Sequence, residues 1–184
     1  MEATKELKEE HEGILHMLKI LERISSTKRE IEDFPFEHMV QIIDFLKVFV
    51  DQCHHGKEED FLFPALEAAG IPREGGPIGV MLSEHQQGRQ LVKEMTESLV
   101  RLRNEEMQGL ADFQKIAQSY IELLRQHIEK ENNVLFAMAD QRLSGQRQNE
   151  MADSFEQLER NRIGVGRHEA FHALMDELSG IYLY

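Results

Sequence analysis

Apolar positions recur along this chain with the period of an α-helix. Leu7, Ile14, Leu15, Leu18, Leu21 and Ile24 form one stripe, which predicts a first helix over residues 3–26, stopped by the polar run Ser25-Ser26-Thr27-Lys28. A second helix is predicted from about residue 36 to 69, with Gly70 as its C-terminal stop and Pro72 just beyond. Pro64 lies inside that span and is expected to kink the helix or end its first part, because proline removes a backbone hydrogen bond. Third and fourth helices are expected over about 80–104 and 109–143. The Pro- and Gly-rich stretch 71–79, Ile-Pro-Arg-Glu-Gly-Gly-Pro-Ile-Gly, is the clearest loop and joins two halves. Beyond Ser144-Gly145, a helix over about 149–162, a break at Gly164-Val165-Gly166 and a last helix to Leu183 complete the chain.

These elements predict an all-α fold, an antiparallel up-and-down four-helix bundle with an appended C-terminal helical segment. The bundle is assigned to residues 1–145 and the extension packed on it to residues 146–184. Only 4 Pro and no Trp, with few β-branched clusters, agree with a helical chain.

One pattern interrupts the amphipathic repeat. His54-His55-Gly56-Lys57-Glu58-Glu59-Asp60-Phe61-Leu62-Phe63 recurs 73 residues later as His127-Ile128-Glu129-Lys130-Glu131-Asn132-Asn133-Val134-Leu135-Phe136. Upstream, Glu10-His11 precedes the first copy as Glu84-His85 precedes the second, so the duplicated unit is His…His-x3-Glu. On a helix of about 3.6 residues per turn, His and Glu four apart share one face and can grip one ion. Two such units bring His11, His54, Glu58, His85, His127 and Glu131 into one bundle, and six ligands of that kind suit a dinuclear iron centre. A cluster of buried imidazoles and carboxylates with no cation would be costly, which argues for metal over packing. Nitrogen and carboxylate oxygen without thiolate suit iron, manganese or zinc, and two bridging carboxylates favour a pair of ions over a single one; iron is expected ahead of zinc or manganese.

Register decides between tandem residues. Aligning Lys57 with Lys130 equates His54 with His127 and Glu58 with Glu131, while Ile128 and Asn132 stand opposite His55 and Glu59. At about 100° per residue His54 faces the apolar interior. His55 and Glu59 are therefore expected to be partly solvated or to support the ligands from outside.

Charge narrows the partners. A net charge of -13 repels nucleic acid and anionic membrane surfaces alike. No apolar run of about 18 residues and no apolar signal core at the start predict a cytoplasmic protein. The single cysteine, Cys53, forms no intrachain disulfide and is expected simply to pack.

The six motif positions, with the Lys-Glu-Glu and Glu-Asn-Asn-Val-Leu-Phe contexts around Glu58 and Glu131, resemble the hemerythrin-like (HHE cation-binding) family over about residues 7–140. The resemblance implies two Fe per chain with an oxo or hydroxo bridge, Glu58 and Glu131 bridging and the histidines capping each iron. It also implies binding or sensing of O2 or NO. The alternatives are a di-iron enzyme acting on peroxide or nitric oxide and a protein of iron homeostasis or iron-centre repair. Whether the chain is an enzyme stays open at this point, and no catalytic residue or protein partner is assigned.

One departure stands out. The oxygen carriers of the family have a fifth histidine one turn after the third-helix ligand, where this chain has Arg89. The centre is thus expected to be one protein ligand short, with Arg89 placed to stabilise a bound anion. His16, His168, His172 and Tyr120 are the candidates considered to fill the gap, with packing the bland reading for each. His38 is expected near an exposed helix start.

Overall fold

The computed structural model describes residues 2–27, 31–104, 106 and 108–184, so Lys28 of the expected polar stop lies outside the described residues. Six helices and no strand are found among them. Helix α1 is Ala3–Ser26. Helix α2 starts at Phe36–Phe45, runs through wide π-type turns at Leu46–His55 and Glu58–Leu62, and ends in Phe63–Ala68. Helix α3 is Pro77–Arg103. Helix α4, Gln108–Lys130, continues through a π-type turn at Glu131–Leu135 into Phe136–Arg142. Helix α5 is Gly145–Leu158, extended by Glu159–Ile163, and α6 is Arg167–Tyr182.

Two expectations about local structure are corrected. Pro64 does not end α2, because the turn at Glu58–Leu62 is already wide and the Phe63 N–H bonds back to the Glu58 carbonyl, a five-residue step. Pro64 thereby sits at the first turn of the next regular stretch, where its missing N–H costs nothing. Helix α5 begins four residues earlier than the apolar stripe suggests, because Ser144 caps it by accepting from the Arg147 backbone N–H (3.2 Å). The Gly164 and Gly166 break is as expected, with φ of 98° and 82°, a conformation in which a Cβ is strained.

The buried side chains divide into two apolar clusters. One holds Ile14, Leu18, Val50, Val92, Tyr120 and Leu124; the other holds Leu7, Leu62, Phe63, Met81, Leu135 and Phe136. Between them along each of α1 to α4 lies a buried polar residue or pair: His11, then His54 with Glu58, then His85, then His127 with Glu131. A polar layer therefore separates two oily ones. Burial of a large apolar side chain favours folding by about 1.5–3 kcal/mol, so the apolar layers carry the stability that the polar layer consumes.

The C-terminal helices belong to this core. Phe155 of α5 is fully buried in the second cluster, and Phe171, Met175 and Leu178 of α6 complete the first. Thr4 of α1 ties on from the other side, its hydroxyl reaching Gln148 (3.0 Å) and Asp140 (2.7 Å). His38 is half-buried rather than exposed, its Nδ1 2.5 Å from the Tyr182 hydroxyl of α6. Among the described residues no helix is long and apolar enough to cross a membrane.

Candidate metal centre

The six residues of the duplicated motif come together, each no more than 2% exposed. The Nε2 atoms of His11 and His54 lie 2.9 Å apart, and those of His85 and His127 3.1 Å apart. Each carboxylate spans the two pairs. Glu58 places Oε1 3.6 Å from His54 Nε2 and Oε2 3.4 Å from His85 Nε2; Glu131 places Oε2 3.2 Å from His11 Nε2 and Oε1 3.2 Å from His127 Nε2.

The other ring nitrogens are all anchored. His54 donates from Nδ1 to Glu10 (2.7 Å), and His127 donates to Glu84 (2.9 Å). His85 donates to Glu59 (2.7 Å), and His11 to the Asn132 side-chain oxygen (2.9 Å). The repeat thus encodes two shells: the residue before the first histidine of each unit holds that unit's second histidine, and the residue after each glutamate holds the first histidine of the other unit. Such partners fix tautomer and ring orientation and leave Nε2 free to point inward. Lys57 and Lys130 reinforce Glu10 and Glu84 in turn.

His55 overturns one expectation. It is 4% exposed, lies face to face on His85 and edge-on to His127, and its Nδ1 is 3.4 Å from Asp51. Its Nε2 is buried with no hydrogen-bond partner. The expected partly solvated position assumed a regular helix. The wide turn at Leu46–His55 winds fewer degrees per residue and turns both tandem histidines inward. Nitrogen or oxygen atoms of His55, Glu58, His85 and His127 all lie within 4.8 Å of one another, and so do those of His11, His54, Glu58 and Glu131. A fifth histidine thus lies within reach of the centre, on α2 in place of α3.

Arg89 is also corrected. Its guanidinium turns outward and binds Asp51 (2.7 Å) and Glu59 (2.6 Å), the two carboxylates behind His55 and His85, so it steadies the outer shell and is not presented to a bound anion. The other candidates stay away from the centre. His16 bonds Ser179 (Nε2 to Oγ 2.5 Å), His168 rests on Phe49 and beside His172, and Tyr120 is buried in the apolar cluster.

Electrostatics follow from this enclosure. Burial works against a charged His85 ring, but Glu58, Glu59 and Glu131 outweigh it and hold its pKa up to about 9. His54 is raised in the same way, by Glu58 and Glu10 against burial. Burial, with His85 and His127 beside it, pushes His55 well below the usual histidine range, so its ring is neutral and available as a ligand. Glu131 and Glu10, although buried, are held down to about 2, Glu131 by His127 and His11, Glu10 by His54 and Lys57. All four oxygens of Glu58 and Glu131 are nevertheless buried without a hydrogen bond. Four carboxylate oxygens and a neutral imidazole nitrogen without a hydrogen bond, facing inward among anchored rings, are a donor set that fits metal.

The family model described as hemerythrin HHE cation binding domain matches residues 2–139, which contain the whole inner and outer shell. Among curated proteins, the uncharacterized proteins Mb2018 of Mycobacterium bovis and Rv1995 of Mycobacterium tuberculosis are each 23% identical over 180 residues. Each alignment covers 97% of this chain and 68% of the relative, so the likeness continues through the C-terminal helices.

Proposed function

The chain belongs to the hemerythrin HHE cation-binding family, and from that premise we propose that it is a non-haem di-iron protein that binds or senses O2 or NO. His11 and His54 would hold one iron and His55, His85 and His127 the other, with Glu58 and Glu131 each within reach of both. A pair of irons held this way supplies reversible or redox binding of a small diatomic molecule. The observation that carries the reading is the set of unbonded carboxylate oxygens and His55 Nε2 inside a shell in which each of the five Nδ1 atoms already faces an outer acceptor.

Residue order supports an antiparallel up-and-down arrangement of α1 to α4. The two apolar clusters are met in one order along α1 and α3 and in the reverse order along α2 and α4. We take residues 1–145 as this bundle and 146–184 as an extension of it.

The chain's own groups set the reactivity. The His11–His54 side offers one imidazole fewer than the other, and it is dry: Phe136 stacks on His11 at 5.4 Å and is fully buried. Binding is favoured over catalysis on peroxide or nitric oxide because, among the described residues, every titratable side chain touching the ligands is committed. Glu10, Glu59, Glu84 and Asp51 each hold a histidine, which leaves no free acid to deliver protons.

Anaerobic loading with ferrous iron, followed by optical spectra with O2, NO and azide, tests the proposal. Two irons per chain and a near-ultraviolet charge-transfer band after oxygenation are expected. A colourless protein that takes zinc in preference to iron and gives no band would sink it. Rapid turnover of peroxide at the loaded centre would move the reading to an enzyme.

A further inference from the structure

Glu10 faces two ways. Its Oε2 accepts from His54, while Oε1 looks outward to the junction where α1 and α2 meet α5 and α6. There an oxygen of Glu10, the Sγ of Cys53, an oxygen of Glu159 and a ring nitrogen of His168 lie within 4.8 Å of one another. Three observations set this group apart from a solvated acidic patch. Cys53 is wholly buried, unpaired and without a hydrogen bond among the described residues. His168 Nε2 is buried with no hydrogen-bond partner and stands 3.8 Å from Glu10 and 3.7 Å from Glu159. Buried Lys57 is shared by Glu6 (2.7 Å), Glu10 (2.5 Å) and Glu159 (2.5 Å), so one ammonium serves three carboxylates. The junction opens into a cavity of about 680 Å³ lined by Glu6, Glu9, His16, Glu156, His172 and Asp176, a strongly cation-attracting approach.

We propose that Glu10, Cys53, Glu159 and His168 form a separate site for one divalent metal ion of borderline softness, such as zinc or ferrous iron, outside the di-iron centre. Two carboxylate oxygens, one imidazole nitrogen and one sulfur are a four-donor set suited to such ions and poorly suited to calcium or magnesium. The ion takes the place of Lys57 beside Glu10 and Glu159, with the lysine keeping its contact to Glu6. It draws its ligands from α1, α2, the turn after α5, and α6, so it fastens the C-terminal helices to the bundle. Through Glu10 it shares a carboxylate with His54, placing a cation one residue away from the di-iron ligand shell. The site does not depend on which diatomic molecule the centre binds.

Cobalt(II) titration of the full chain is the test, because a cobalt-thiolate bond has its own near-ultraviolet band while nitrogen and oxygen ligation does not. Three equivalents are expected, one of them carrying that band. Cys53→Ser should abolish the band, and His168→Ala and Glu159→Gln should each remove the third equivalent while the other two remain. His168 is partly exposed, so its variant keeps the test open if the buried Cys53 change perturbs folding. Uptake of only two equivalents, or a third that survives both His168→Ala and Glu159→Gln, would overturn the site.

Discussion

His55 lies on His85 with ring centroids 3.8 Å apart and planes 13° from parallel, although no sequence spacing links the two residues. The stack by itself is packing; the unbonded Nε2 of His55 is what makes the ring a candidate donor to a metal. His55→Phe keeps an aromatic ring on His85 and removes the nitrogen. The affinity for the second metal equivalent should fall by more than the ~10–100-fold typical of losing an outer-shell partner, with the first equivalent little changed. Isothermal titration with ferrous iron under anaerobic conditions measures both, and two unchanged equivalents would return His55 to a packing role.

Arg89 is 41% exposed, and a surface ion pair of that kind ordinarily contributes little to stability. Here its partners are the two carboxylates behind His55 and His85. Arg89→Leu should therefore leave the unfolding temperature nearly unchanged yet speed metal release to a chelator, on the order of 10–100-fold. Equal release rates in variant and parent would show that Asp51 and Glu59 hold their histidines unaided.

Protonation of the centre gives metal-stripped and metal-loaded protein opposite pH responses. His85 is raised from 6.5 to about 9 by Glu58, Glu59 and Glu131 against burial. Its contribution to the stability of the stripped protein is present below pH 6.5 and lost as pH rises through 9. Glu10 and Glu131 are lowered from 4.5 to about 2, so theirs is present above pH 4.5 and lost as pH falls through 2. Thermal melts of chelator-treated protein should decline from neutral to alkaline pH. The loaded protein should gain over the same range, because the metal displaces those protons. A flat alkaline limb for the stripped form would contradict this assignment of charges.

The C-terminal segment is expected to behave as core. Phe155→Ala removes a fully buried ring from the second apolar cluster and should cost about 3–5 kcal/mol in chemical denaturation. A change under about 1 kcal/mol would mean that the segment docks only loosely on the bundle.

Much of this was legible in the residue pattern. The stripe of apolar positions located all six helices, and the 73-residue repeat picked out His11, His54, Glu58, His85, His127 and Glu131, which the fold brings together. The outer shell was half visible, since Glu10, Glu84 and Asn132 occupy fixed places in the repeat. His55 was not legible, for two physical reasons. It stands opposite Ile128, so alignment of the halves argued against it; and counting about 100° per residue fails where the helix widens. Arg89 misled for a related reason. Its position in sequence is that of a ligand, but its length and charge let it reach the carboxylates outside.

The widened turns also fix how the centre tolerates change. Three of them, at Leu46–His55, Glu58–Leu62 and Glu131–Leu135, begin or end on a residue of the candidate centre. Removing one residue from the first would restore ordinary winding and rotate His55 toward solvent without altering any side chain of the motif. On the proposed reading, the number of nitrogen donors on the His85 side of the centre is therefore set by backbone length, and chains with an identical His…His-x3-Glu pattern can differ in it.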